Sequence, residues 1–215
     1  MRKRRAQYRG TEQRRRAILK AALACFTEMG YLDATMQDIR RRSGASNGSI
    51  YHHFKGKEQL AAAVYLQGIV DYQAGLKNEL NRCAGARQGL AALVRYHLLW
   101  VRDHPDWARF LFRMRHADFM VLAERPIADA NRELAAVMEG FFQRHVVAGT
   151  LRHLPRELYM SIILGPCQEL ARHWLLENRP LALDLAADEL GEAAWQSLRA
   201  RPCRPTEDHH GPAAS

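Results

Sequence analysis

The sequence predicts an all-α protein, and three observations carry that prediction. Ala and Leu supply 58 of 215 residues, whereas Val, Ile and Thr together supply only 20. Ala and Leu lose little on entering a helix, while β-branched residues lose side-chain freedom there. Apolar residues recur at spacings of three and four, and no repeated Val/Ile/Thr alternation bounded by turn residues appears. Helix-stopping residues, among them Gly30, Gly44, Pro105 and Gly149, fall where these periodic segments end.

The first ten residues are basic and polar and read as a mobile segment. A helix is predicted over residues 11–29, with Ile18, Ala22, Phe26 and Met29 on one buried face, Leu19 and Leu23 widening it, and Gly30 as its stop. Thr35-Met36-Gln37-Asp38 has the form of a capping box, opening a short helix to about Ser43 with Gly44 as its sharp exit. Ser46 then caps a second short helix through about His53. Two short helices separated by a tight Gly-containing turn form a helix-turn-helix pattern. Ile39 and Ile50 point inward in this reading, and Phe26 and Phe54 close a small three-helix core.

Lys57 and Glu58 open a long helix to about residue 82, and residues 86–104 make another, stopped by Pro105. A short aromatic helix follows over 106–116, carrying Trp107, Phe110, Leu111 and Met114 as a stripe. Pro126 suits the start of a helix reaching about residue 147, ended by Gly149. The last two helices are predicted over 154–178 and 181–201, and Gly165-Pro166 is expected to kink the first of them. Residues 202–215, polar and with three prolines, read as a disordered tail. The chain thus divides into a helix-turn-helix unit over 1–60, a larger helical unit over 61–201 and a tail over 202–215, with about nine helices in all.

Charge is distributed unevenly. Residues 1–60 hold 14 Lys and Arg against 5 Asp and Glu, whereas residues 61–215 hold 18 of each, so the whole net charge of +9 sits in the first 60 residues. That footprint suits phosphates. Cys25, Cys83, Cys167 and Cys203 show no CxxC spacing, and reduced thiols in a cytoplasmic protein are the simpler reading. The basic start before AILKAALAC superficially resembles an export signal, but Lys20 breaks the apolar run. No run approaches the roughly 18 apolar residues of a membrane span, so no membrane association is expected.

The segments AILKAALACFTEMGY and TMQDIRRRSGASNGSIYHHFKGKEQL resemble the DNA-binding domain of the TetR family of transcriptional regulators. The resemblance is close over residues 11–60, and YHHF-KGKE is its most specific part; beyond residue 60 only the nine-helix layout matches. It implies a cytoplasmic homodimer that binds palindromic double-stranded operator DNA, usually represses, and is usually released by a small ligand. It also carries DNA-contact roles onto Thr35, Ser46, Asn47, Gly48, Tyr51, His52 and Lys57.

The residues agree with those roles on chemical grounds. A recognition helix enters the major groove with its N-terminal residues nearest the base edges. Ser46 and Asn47 offer short hydrogen-bonding side chains there, and Gly48 holds nothing between backbone and duplex. Tyr51 and His52 lie one turn further on. Lys57 and Thr35 stand at helix starts, where backbone N–H groups and side chain together suit a phosphate. Tyr51 also suits packing between helices, Thr35 and Ser46 also suit plain capping, and His53 suits packing better than contact. Arg40, Arg41 and Arg42 span too wide an arc to face DNA together; Arg41 or Arg42 is expected to approach phosphate. Arg2–Arg5 suit either an arm reaching phosphates or the minor groove, or a plain tail. Adjacent helical histidines project about 100° apart, so His52 and His53 are not a metal pair.

The larger unit carries aromatic and Met residues that suit an apolar ligand cavity, namely Tyr96, His97, Trp100, Trp107, Phe110, Met114, Phe141 and Tyr159. The effector is expected to be an apolar or amphipathic small molecule. Tyr96, His97 and Tyr159 are the polar groups among them, and each residue taken singly also suits ordinary core packing. Leu183, Ala187, Leu190, Ala194 and Leu198 form a stripe that, with Leu158, Leu170 and Trp174, suits a four-helix dimer interface; the same stripe also suits packing within one subunit. No catalytic residue, metal site or cofactor is expected: an enzyme using His97, His116, Asp118 or His173 lacks HExxH, a nucleophile elbow or a close carboxylate–histidine motif. A basic helical protein binding nucleic acid non-specifically, by charge alone, is the alternative.

Overall fold

Nine α-helices and one 3-10 turn make up the described residues of the computed structural model, which are 2–177 and 182–201, with side chains described for 10–176 and 182–201. The tail expected over 202–215 lies outside them. Helix α1 spans Arg2–Glu28, so the segment read as mobile is helical instead. Arg, Lys, Ala and Gln are good helix formers, and a single Gly10 costs only about 1 kcal/mol relative to Ala.

Helices α2 (Met36–Ser43) and α3 (Asn47–His53) form the helix-turn-helix with α1. Thr35 Oγ1 accepts from the Asp38 N–H at 3.2 Å while Asp38 Oδ2 accepts from the Thr35 N–H at 3.1 Å, so the expected capping box is present. Gly44 ends α2 at φ 65°, a left-handed geometry that favours glycine, and Ser46 Oγ accepts from the Ser49 N–H at 3.3 Å to start α3. Each such cap contributes about 1 kcal/mol. Ile18, Phe26, Ile39, Ile50 and Phe54 are buried together beneath the two short helices.

Helices α4 (Lys57–Asn81), α5 (Ala86–Asp103) and α6 (Pro105–Met114) follow, then the 3-10 turn Asp118–Ala123. Helices α7 (Glu124–Val147), α8 (Arg156–Glu177) and α9 (Leu183–Leu198) complete the chain. Pro126 sits in the first turn of α7, where its missing N–H would be unpaired anyway. Helix α8 continues past Pro166 without interruption. The first core extends beyond residue 60, because Leu60, Val64 and Tyr65 of α4, Phe110 of α6 and Phe119 of the 3-10 turn belong to it. A second core joins the far half of α4 to α5, α7, α8 and α9.

Two glycines on one face of α4 permit close crossings. The Trp107 ring lies where a Cβ on Gly68 would be 2.6 Å away, and the Tyr96 hydroxyl lies 1.9 Å from the corresponding point on Gly75. Helix α9 packs on α5, with Gly191 against the Ala91 backbone. Along this seam Arg95 pairs with Asp184 and Asp188, and Arg87 with Glu192. The α9 stripe therefore finds its cover in its own subunit: Leu183, Ala187, Ala194 and Leu198 are buried, which corrects their expected exposure to a partner chain.

Candidate nucleic-acid interface and cavity

Burying Ile50 and Phe54 turns the opposite side of α3 outward. Ser46, Asn47, Gly48, Tyr51 and His52 are all exposed, and no other side chain shields Gly48. Tyr51 is 52% exposed, which sets aside the packing role for it. His53 is half-buried against Phe54, and burial, followed by the neighbouring His52 and Arg15 charges, holds it below the ordinary histidine range. The structure thus brings together four α2–α3 features that the sequence groups: a capped α2 start, a capped and exposed α3 start, a hydroxyl and an imidazole one turn on.

The arginine triplet is divided by its partners. Arg42 pairs with both carboxylate oxygens of Glu28, locking α2 to the end of α1. Arg41 bonds Asp38 at 2.8 Å, yet its side chain is 79% exposed, and so it is the member presented outward. Lys57 stands at the start of α4 with its Nζ donating to the Leu32 carbonyl at 2.9 Å and lying 4.9 Å from the Tyr31 ring centroid. Its ammonium is thereby held at the helix end, with part of its donor capacity already used on the α1–α2 turn. Gly56 gives α4 no side-chain cap, so among the described residues no N-cap side chain covers the first backbone N–H groups of that helix.

A cavity of about 450 Å³ lies between α4, α5, α6, α7 and α8. Of the expected lining residues, His97 and Trp100 face it. The other six do not. Tyr96 lines an outer groove over α4 with Asp71 and Asp103, and Trp107 lines a groove beside α1. Phe110 stacks on Phe26 at 5.6 Å within the first core, where Met114 also packs. Phe141 fills the space above Gly89, and Tyr159 stacks on Phe142 at 4.2 Å while its hydroxyl donates to the Arg152 carbonyl. Phe110, Met114, Phe141 and Tyr159 are thus taken up by core packing, whereas Tyr96 and Trp107 face grooves outside this cavity.

The wall that escapes the sequence reading is on α4, where Tyr65, Ile69, Tyr72 and Leu76 line the cavity at spacings of four, three and four. That helical stripe was the available signal. Leu111, Phe112, Met120, Ile127 and Leu134 add further apolar surface, and Arg115, Asn131 and Gln168 add polar groups. Asn131 accepts from Gln73 at 2.7 Å. Tyr72 Oη and His97 Nδ1 are 2.7 Å apart, and His97 is 6% exposed. Burial pushes His97 down to about 4 and pushes the Tyr72 phenol up, so both are neutral near pH 7.

Leu170, Trp174 and Leu190 are partly buried against the subunit's own cores. Of the α8 residues expected at a partner, Leu158 does face outward (47% exposed), on the same side as Gly165 and Leu176 (60% exposed) at helical spacing, and Leu185 of α9 is 62% exposed. Among the described residues no group of three His, Cys, Asp or Glu is placed to hold a metal ion, and no helix is long and apolar enough to cross a membrane.

A basic, properly capped helix-turn-helix on a helical body with its own cavity defines a DNA-binding transcriptional regulator of the helix-turn-helix class. Residues 18–64 match the family model described as bacterial regulatory proteins, tetR family. The HTH-type transcriptional repressor AcnR of Corynebacterium glutamicum is 44% identical over 152 residues, covering 60% of this chain and 80% of that protein. The HTH-type transcriptional activator FasR of Mycolicibacterium smegmatis is 25% identical over 187 residues, covering 87% and 84%. Among solved structures, FadR of Bacillus subtilis in complex with stearoyl-CoA matches with a TM-score of 0.72 at 18% identity, covering 83% of this chain and 96% of that one. A TetR family regulator from Marinobacter aquaeolei matches at 0.71 and 20%, covering 94% and 100%. The chain belongs to the TetR family of transcriptional regulators, a family of regulators rather than enzymes.

Proposed function

We propose that this protein is a cytoplasmic, homodimeric repressor that binds a palindromic operator and is released by a small apolar or amphipathic molecule held in the 450 Å³ cavity. The observation that carries the reading is the double duty of α6. Its Phe110 stacks on Phe26 of the helix-turn-helix core, while Ala108, Leu111 and Phe112 of the same short helix line the cavity. A ligand that moves the cavity wall therefore moves a helix on which α1 rests. The likeness to a structure that holds stearoyl-CoA, and to a repressor at 44% identity, supports the same reading.

On DNA, Asn47 and Ser46 read base edges, and Gly48 lets the backbone approach. Tyr51, His52, Arg41, Thr35 and Lys57 hold phosphates, Lys57 together with the first N–H groups of α4. The dimer forms through the outward side of α8, where Leu158, Gly165 and Leu176 recur at helical spacing, joined by α9. Selection of bound fragments from a random duplex pool tests the reading. Palindromic sites with half-sites about one helical turn apart are expected; selected sites without two-fold symmetry refute the dimer, and no selection at all leaves only charge-driven, non-specific binding.

A further inference from the structure

The cavity is lined by aromatic and aliphatic groups, yet one of its lining residues, His97, keeps a buried ring nitrogen without a partner. His97 Nε2 is buried and makes no hydrogen bond among the described residues, although Nδ1 of the same ring is bonded to Tyr72. A phenol is the stronger donor and an imidazole nitrogen the stronger acceptor, so Tyr72 donates and Nδ1 accepts. The other nitrogen of a neutral ring must then carry the hydrogen. Trp100 and Tyr96, 5.0 and 5.8 Å from the Tyr72 ring, hold the donor in place. A buried N–H with no acceptor is costly, and a ligand oxygen placed against it removes that cost.

Charge at the cavity is one-sided. Arg115 is the only charged residue in the lining, it is exposed and makes no ion pair among the described residues, and no Asp or Glu accompanies it. A cationic ligand would meet repulsion there, and an acid would meet a partner at the rim.

Resting on the effector reading above, we propose that the effector is an apolar acid bearing a second, neutral acceptor oxygen along its body. Its carboxylate pairs with Arg115, its hydrocarbon fills the cavity, and its inner oxygen accepts from His97 Nε2–H. Arg115 sets the sign of the charge, and the Tyr72–His97 pair selects for the inner oxygen.

The test uses a ten-carbon series: decanoate, decyltrimethylammonium, and decanoates with a ketone at carbon 5, 7 or 9. Dissociation constants are measured by calorimetry on the full-length protein and on His97→Phe and Arg115→Gln. One oxo-acid is expected to bind at least about tenfold more tightly than decanoate, because a site with a buried donor penalises an analogue that leaves it unpaired. His97→Phe should abolish that ratio. Arg115→Gln should weaken all the acids by a similar factor and leave the ratio intact. The ammonium compound should bind most weakly. Should decanoate and every oxo-acid bind equally well to the unmodified protein while lowering its affinity for operator DNA, this inference falls and the effector reading stands. If no compound binds, both fall.

Discussion

Acid should destabilise this protein through His97 in a way that a single substitution removes. Burial holds the ring at a pKa of about 4 in the folded chain, against about 6.5 when unfolded. The depressed folded value means that the unfolded chain binds more protons between these limits. The contribution is therefore fully present above about pH 6.5 and is lost as pH falls toward 4. The local slope approaches about 1.4 kcal/mol per pH unit, and integration to pH 5 gives about 2 kcal/mol. Burial also lowers His53 and His145, so the measurement must be a difference. Urea unfolding of the native sequence and of His97→Gln, at one protein concentration from pH 7.5 to 5, supplies it. The native protein should lose about 2 kcal/mol more than the variant over that range. Parallel curves would show that His97 stays solvated enough to titrate normally, and the neutral, buried anchor assigned to the cavity would fail with them.

Phe110→Ala should cost about 3–5 kcal/mol and weaken operator binding, because the ring supports Phe26 beneath the helix-turn-helix; chemical denaturation and gel shift check both, and a loss under 1 kcal/mol argues against the shared core. Lys57→Ala should weaken binding to all duplexes similarly and flatten the slope of log affinity against log salt by about 0.9 per half-site, whereas Asn47→Ala should change the preferred base at one position with little effect on slope. An unchanged slope in Lys57→Ala would take its ammonium off the phosphate and leave it solely on the Leu32 carbonyl. Leu176→Glu should convert the protein to monomer in sedimentation while Leu185→Glu, on α9, has a lesser effect; a stable dimer in both would exclude the outward side of α8.

What the sequence made legible was local. A hydroxyl at Thr35 with Asp38 three residues on, glycine at Gly30, Gly44 and Gly149, and Pro126 in the first turn of α7 each act within one turn, and each is found in its role; Pro105, read as the stop of the preceding helix, follows the end of α5 and also opens α6. The exposed row on α3 was also legible, since burying Ile50 and Phe54 fixes which way Asn47 and Tyr51 face. Partnership between distant helices was not. The periodicity of α6 demands that Trp107, Phe110 and Met114 be covered but does not say by what, and the covers turned out to be α4 at Gly68 and Phe26 of α1. The α9 stripe posed the same ambiguity between its own subunit and a partner. There the charges held a clue: Asp184, Asp188 and Glu192 follow α9 at intervals of four, and Arg87 and Arg95 answer them from α5. The Tyr72–His97 pair joins residues 25 apart, and only tertiary packing brings them together.

The energetics of release set a condition on α6 that its contacts meet. Moving operator occupancy from 99:1 to 1:99 takes about 5.5 kcal/mol of differential binding, which two subunits acting alike divide into about 2.7 each. By linkage the ligand must bind the free protein more tightly than the DNA complex by the same amount. Within a subunit, the Phe26–Phe110 stack is worth about 0.5–1.5 kcal/mol beyond area, and the burial of one such ring a further ~1.5–3 kcal/mol. A shift of α6 that loosened this one pair would therefore cost an amount of the same order, which the ligand's own contacts in the cavity would have to offset. Helix α6 also packs through Trp107 and Leu111 over Gly68 of α4 and through Ala108 against Trp100 and Val101 of α5, so a shift at the cavity wall reaches several helices together. In the proposed release, Phe110 on Phe26 is the contact through which such a shift would reach α1.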